Sequence, residues 1–153
     1  MTTLNIVKIG GNVIDNPDAL TKFLSTFAAI QGPKILVHGG GKIATEIGTR
    51  MGIRSVYHEG RRITDQPTLD LVTMVYAGLV NKNIVAQLQR VGCNAIGLSG
   101  ADGNVILAKR RPAGEIDYGF VGDIDSANIN TGTIGSLTEA GLTPVFCPIT
   151  HDG

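Results

Sequence analysis

The chain has 153 residues, 42% of them apolar and 17% charged, and its 13 basic and 13 acidic side chains leave no formal net charge. That content excludes a disordered chain and suits a single domain with its own core, while the balanced charge, free of any basic block, argues against a nucleic-acid partner. No apolar run approaches the roughly 20 residues of a membrane span, the N-terminus does not read as a signal peptide, and Cys93 and Cys147 stand far apart without metal-ligand spacing, as do His38, His58 and His151. A cytoplasmic protein with reduced thiols and no metal site is expected.

Leu4 to Ile9 reads as a first strand, running directly into Gly10-Gly11-Asn12. Asn16-Pro17-Asp18 is a helix start, with Asn16 as the cap and Pro17 in the first turn. Leu20, Phe23, Leu24, Phe27 and Ala28 follow at helical spacing until Gly32-Pro33 stops the helix. Lys34 to Val37 is a second strand and opens into His38-Gly39-Gly40-Gly41-Lys42, after which Ile43 to Arg50 forms a short helix ended near Gly52. Val56 to His58 and Arg62 to Thr64 pair as a hairpin around Glu59-Gly60-Arg61. Thr64 or Asp65 then caps a long helix over residues 65–90, with Pro67 in its first turn.

Ala95 to Ser99 is a further strand, closing in Gly100-Ala101-Asp102-Gly103. Val105 to Lys109 and Tyr118 to Ile124 read as short strands, Ile134 to Ala140 as a helix and Thr143 to Ile149 as a last buried strand. Strands alternating with helices imply an α/β fold, a mostly parallel sheet sandwiched by helices with small β-hairpins. Ligands in such folds sit beyond the carboxyl ends of the strands, where both glycine loops lie. Between Leu69 and Val80 the long helix is apolar most of the way round, so it needs burial on two sides. One side is the sheet; the other calls for a second domain or subunit, and a homodimer through this helix is expected.

A strand that ends in glycines and opens a helix presents backbone N–H groups to an anion. Three consecutive glycines are costly in backbone entropy and point to close approach by something. Lys8 before the first loop and Lys42 after the second add positive charge. Lys42 is followed by Ile43 rather than Ser or Thr, which excludes a Walker-type phosphate loop. Gly39-Gly40-Gly41-Lys42-Ile43-Ala44 fits G-x-G-x-x-A, with Glu59 twenty residues beyond Gly39, so a dinucleotide-binding domain is an alternative. It leaves Lys8 and the first loop without a role. Asp102 reads as a turn residue and His38 as a satisfied core histidine.

Lys8-Ile9-Gly10-Gly11, His38-Gly39-Gly40-Gly41, Glu59-Gly60-Arg61-Arg62-Ile63-Thr64, Gly97-Leu98-Ser99-Gly100-Ala101-Asp102-Gly103 and Thr143-Pro144-Val145-Phe146-Cys147-Pro148-Ile149 occur in that order. Together they resemble the amino acid kinase family, and within it the branch that phosphorylates N-acetyl-L-glutamate in arginine biosynthesis. The resemblance covers the whole chain. It implies transfer of the γ-phosphoryl group of ATP, as its Mg2+ complex, to the side-chain carboxylate of an N-acylglutamate. Lys8 would neutralise the transferring phosphoryl group, Gly10 and Gly11 would bind phosphate oxygens, and Gly40 and Gly41 would cradle the acylated amino acid. Residues alone leave Arg61 and Arg62 equivalent; the resemblance assigns the substrate carboxylate to Arg62. Relatives of this kind continue past the last strand here with an Asn-x-Asn-Ala-Asp segment, a second phosphate-neutralising lysine and an adenine pocket. Residues 1–153 are therefore expected to be the acylglutamate-binding and dimerisation domain, and the isolated chain a binding module without turnover. The chain begins almost directly at its first strand, so the extra N-terminal helix that joins dimers into hexamers in arginine-inhibited relatives is expected to be lacking, and arginine inhibition is not expected.

Overall fold

Residues 3–40 and 42–153 are described in a computed structural model of the chain. The first apolar run forms β1 (Asn5–Ile9), and the second forms β2 (Lys34–His38), parallel to it with Ile9 opposite His38. Between them lie α1 (Gly11–Ile14) and α2 (Pro17–Ala28). The Asn16 side chain accepts from the Ala19 N–H at 3.0 Å, so the expected cap is formed. α3 (Ile43–Arg50) follows the second glycine loop and ends at Gly52 with φ +74°.

The hairpin is β3 (Val56–His58) and β4 (Arg61–Ile63), one residue earlier on its second arm than the spacing suggests. Glu59 and Gly60 both take positive φ, 47° and 75°, which closes a two-residue turn and draws Arg61 into the ladder. The long helix runs from its Asp65 cap as α4 (Gln66–Val72), a π-helical segment (Thr73–Val80) and α5 (Asn81–Arg90). A widened i→i+5 segment was not legible, because a run apolar all round has no stripe whose drift would reveal it.

β5 (Ala95–Leu98) continues the sheet, followed by β6 (Ile106–Arg110) and β7 (Gly122–Ile129), which form a separate antiparallel ribbon. The strand expected over Tyr118 to Ile124 is displaced. Gly119 adopts φ +72° and its N–H bonds Asp117 Oδ1 at 2.8 Å, so the chain turns there before pairing begins. The exposed Asp123, Asp125 and Ser126 on β7 carry no alternating apolar signal. α6 (Thr131–Glu139) starts three residues early because Asn130 caps it, accepting from Thr133 N–H at 3.0 Å. The last strand, β8 (Thr143–Phe146), is fully buried but stops before Pro148.

The main sheet has the order β1-β2-β8-β5, and all its pairs are parallel. Alternation along the strands builds two cores. Ile9, Leu36, Ala95 and Val145 face Leu24, Phe27, Leu71, Ile84 and Leu88 of the helices on one side. Ile35, Leu98 and Phe146 meet Val105 and the Ile134 and Leu137 side chains of α6 on the other. Over β1 that second face is open: Ile6 is 66% exposed, and Lys8, two residues on, shares its face.

Candidate active site

Because β1 and β2 are parallel neighbours in register, their glycine loops emerge side by side. The Gly39 N–H donates to the Ile9 carbonyl at 3.1 Å and ties them together. Gly10 is exposed and extended (φ −91°, ψ 174°). α1 beyond it is a single turn, too short for much macrodipole; what it offers is the N–H groups of Gly11 and Asn12, which have no acceptor in their own helix. Lys8 is exposed near the end of β1, beside this loop.

The second loop is held from several directions. His38 is buried, its Nδ1 lies 2.8 Å from the Gly39 carbonyl and its Nε2 lies 3.1 Å from Asn81 Nδ2. The amide of Asn81 is the donor to Nε2, so Nδ1 carries the ring proton and donates to Gly39. Burial lowers the His38 pKa below its ordinary value and keeps the ring neutral, the hydrogen bond to Gly39 opposing this only in part. His38 is thus the satisfied core histidine that the sequence suggests. Asn81 Nδ2 also donates to the Val145 carbonyl at 2.9 Å, and its Oδ1 accepts from Lys82 Nζ at 3.1 Å.

Both oxygens of Asp15 accept from the Lys42 N–H, at 2.9 and 3.1 Å, so the residue that closes α1 caps α3. This corrects the expectation of bare amides at that helix end, since an internal carboxylate already takes one of them. Gly40 lies against the ring of Tyr76, and a Cβ built on Gly40 would collide with it. Close approach is therefore the reason for glycine at this position. Gly41, expected beside it as a substrate cradle, lies outside the described residues.

Arg62, half-buried on β4, reaches the same place. Its Nη2 donates to Thr45 Oγ1 of α3 at 3.0 Å, its Nη1 donates to Ser55 Oγ, and its guanidinium stacks over the Tyr57 ring at 4.9 Å. Tyr57 Oη in turn lies 3.0 Å from Thr45 Oγ1. Every one of these partners is neutral. Among the described residues the one ion pair is Arg111–Asp123, so Arg62 holds its charge without a carboxylate. Tyr76 has its pKa raised by burial, with the Arg62 charge pulling the other way. Arg62 and Tyr76 share the wall of a cleft of about 570 Å³ with Arg61, Arg111 and Phe120.

Lys8, Gly10, Gly11 and Gly40 thus converge at the ends of two adjacent strands, with Arg62 attached through Thr45 to the helix that follows the second loop. Asp102 stays within its own turn, accepting from Ser99 N–H and Oγ at 2.6 and 2.8 Å. Those Ser99 bonds, the backbone one foremost, hold its carboxyl below the usual range. Glu59 is the hairpin turn residue rather than the end of a sheet strand, so it does not stand where a dinucleotide fingerprint needs its acidic group. Sequence reasoning did not find Tyr76, Thr45, Asp15 or Asn81. A signal existed only for Tyr76, the one aromatic within the long apolar run.

The profile of the Amino acid kinase family matches residues 3–153. The chain is 56% identical over 154 residues to the acetylglutamate kinase of Cytophaga hutchinsonii, a match covering 100% of this chain and 58% of that protein. It is 53% identical to the acetylglutamate kinase of Phocaeicola vulgatus, over 98% of this chain and 58% of the relative. The chain therefore spans somewhat over half the length of these curated relatives. In fold it is similar to an N-acetylglutamate synthase from Neisseria gonorrhoeae, solved with coenzyme A and N-acetyl-glutamate. The TM-score is 0.75 at 21% identity, over 98% of this chain and 34% of that one.

Proposed function

The chain belongs to the amino acid kinase family, and we propose that it is the N-terminal, acylglutamate-binding part of an enzyme that phosphorylates the side-chain carboxylate of N-acetyl-L-glutamate. The observation that carries this reading is the Arg62 guanidinium, held by Thr45, Ser55 and Tyr57 with no carboxylate partner among the described residues. A cation arranged by neutral groups beside a glycine loop suits an external carboxylate, which the planar fork can take in two-point fashion. The kinases at 56% and 53% identity act, by name, on that substrate.

The chemistry follows from charge. A carboxylate attacking ATP brings two anions together, and it needs no general base because it is ionised at neutral pH. Lys8 neutralises the transferring phosphoryl group, and the amides of Gly10 and Gly11 take phosphate oxygens. Gly40, Gly41 and Arg62 hold the acylated amino acid, with the β3–β4 hairpin over it to exclude water. ATP enters as its magnesium complex, held chiefly by the portion of the enzyme outside this chain. The product, an acyl phosphate, fits a cytoplasmic step of arginine biosynthesis; no helix among the described residues is long and apolar enough to cross a membrane.

The enzyme is a homodimer in this reading. Met74 and Leu79 of the π-helical segment stay 54% and 47% exposed, and an apolar groove of about 550 Å³ runs from Leu79 past Ile43 and Ile84. Light scattering on the purified protein at micromolar concentration should give twice the monomer mass.

Calorimetric titration of residues 1–153 with N-acetylglutamate, beside a coupled assay for ADP release, tests the whole reading. Weak binding without turnover is expected, because phosphoryl transfer depends on positioning and charge neutralisation that half a site does not complete. Absence of binding, or ATP-dependent turnover by this chain alone, would overturn it.

A further inference from the structure

The long helix touches the second glycine loop twice. Asn81 holds His38 at its start, and Tyr76, midway along the π-helical segment, lies on Gly40. Widened helical turns of this kind are rare, and they occur frequently at functional sites. Here the segment keeps Val75 and Val80 in the core while setting a phenol ring between Gly40 and the cleft that Arg62 lines. The ring is half-buried and rests against a residue with no side chain of its own. The Arg62 charge is close enough to act on its hydroxyl.

Resting on the reading above, we propose that Tyr76 determines substrate size: its ring is the wall that joins Gly40 to Arg62 and limits the acyl group the site accepts. An aromatic wall built on bare backbone is rigid in one direction, because Gly40 cannot recede without breaking the His38–Gly39 and Gly39–Ile9 bonds on its near side. On the side of the cleft toward Gly40, space is therefore set by the tyrosine ring. A shorter apolar residue opens it, and longer acyl groups gain more than the acetyl group does.

The test uses the full-length enzyme that carries this chain, with saturating ATP and magnesium, against N-acetyl-, N-propionyl- and N-butyrylglutamate. Turnover of N-acetylglutamate by the unaltered enzyme examines the function; the selectivity of the variants examines Tyr76. Tyr76→Phe keeps the wall and should keep the order of preference. Tyr76→Leu should raise the propionyl-to-acetyl ratio of kcat/KM by about tenfold, the scale that one methylene commands in an apolar pocket, and the butyryl-to-acetyl ratio by at least as much, with KM for ATP unchanged. Gly40→Ala should weaken N-acetylglutamate use through its collision with the ring, and Tyr76→Ala added to it should restore part of the loss. Should Tyr76→Leu prove insoluble, Tyr76→Met is read in the same way. An unchanged ratio in an active variant, or a rise in KM for ATP equal to that for the acylglutamate, would overturn the proposal.

Discussion

The two glycine loops leave adjacent strands of one sheet, yet they are built on opposite lines. The first, after β1, rests on one turn of helix and faces solvent, with Lys8 and Ile6 exposed beside it. The second, after β2, is fastened by His38 and Asn81 below, by Asp15 at the mouth of α3 and by Tyr76 across Gly40. A loop fixed from three sides is preorganised for a small, rigid ligand, since little freedom remains to be lost on binding. A loop left open suits a group that arrives with the rest of its site. The contrast supports the proposed division of the site, in which the second loop holds the acylated amino acid and the first the transferring phosphoryl group.

Breaking the first loop's charge should give the largest effect. In the full-length enzyme Lys8→Ala should lower kcat by roughly 10²–10³, the scale for losing one preorganised transition-state contact, while KM for N-acetylglutamate stays close to normal. Steady-state kinetics decides this, and near-normal turnover would remove Lys8 from the chemistry. Next comes the buried tie beneath the second loop. Asn81→Ala leaves His38 Nε2 and the Val145 carbonyl without their donor and should destabilise the fold by about 1–3 kcal/mol, read as a lower urea midpoint. Asp15→Ala removes the cap that α3 borrows from α1 and should cost about 1 kcal/mol; Asp15→Asn, which keeps an acceptor, should recover most of it.

The smallest effect is a pH dependence. His38 has its folded pKa depressed from 6.5 by burial. Below about pH 6.5 the unfolded chain takes up this proton and the folded one does not, so stability should decline as pH falls through that point. His38→Gln should flatten this part of a pH series of melting curves. A slope that survives the substitution would assign it to another group.

The contrast between the loops was only half legible in the sequence. Local chemistry was readable: the Asn16 cap, the Asp65 cap, Gly52 and the strand-to-glycine transitions all lie where short-range rules place them. The parallel sheet followed from alternation of strand and helix, and with it the meeting of the two loops. What holds the second loop was hidden, because each fastening joins residues far apart in the chain. Lys42 meets Asp15, His38 meets Asn81, and Gly40 meets Tyr76. A polar residue such as Asn81 at a helical position is ordinarily read as solvent-facing, and only the packing of the helix on β5 and β8 shows it to be buried. The stretch of β7 beyond Ile124 escaped notice for the converse reason, since exposed Asp125, Ser126 and Ala127 lack any apolar rhythm.

The strand order has a consequence for biosynthesis. β8 is the last of these four strands to leave the ribosome, yet it lies between β2 and β5. Until residues 143–146 emerge, β2 and β5 have no common neighbour, and each presents a row of unpaired peptide groups flanked by Ile35, Leu36 and Leu98. The nascent chain must therefore hold two separate pieces, a β1–β2 half and a β5 half, before a buried four-residue segment welds them together. Premature termination or proteolysis ahead of Thr143 would not yield a smaller stable domain. It would yield a chain with two open sheet edges, prone to aggregation and dependent on chaperones.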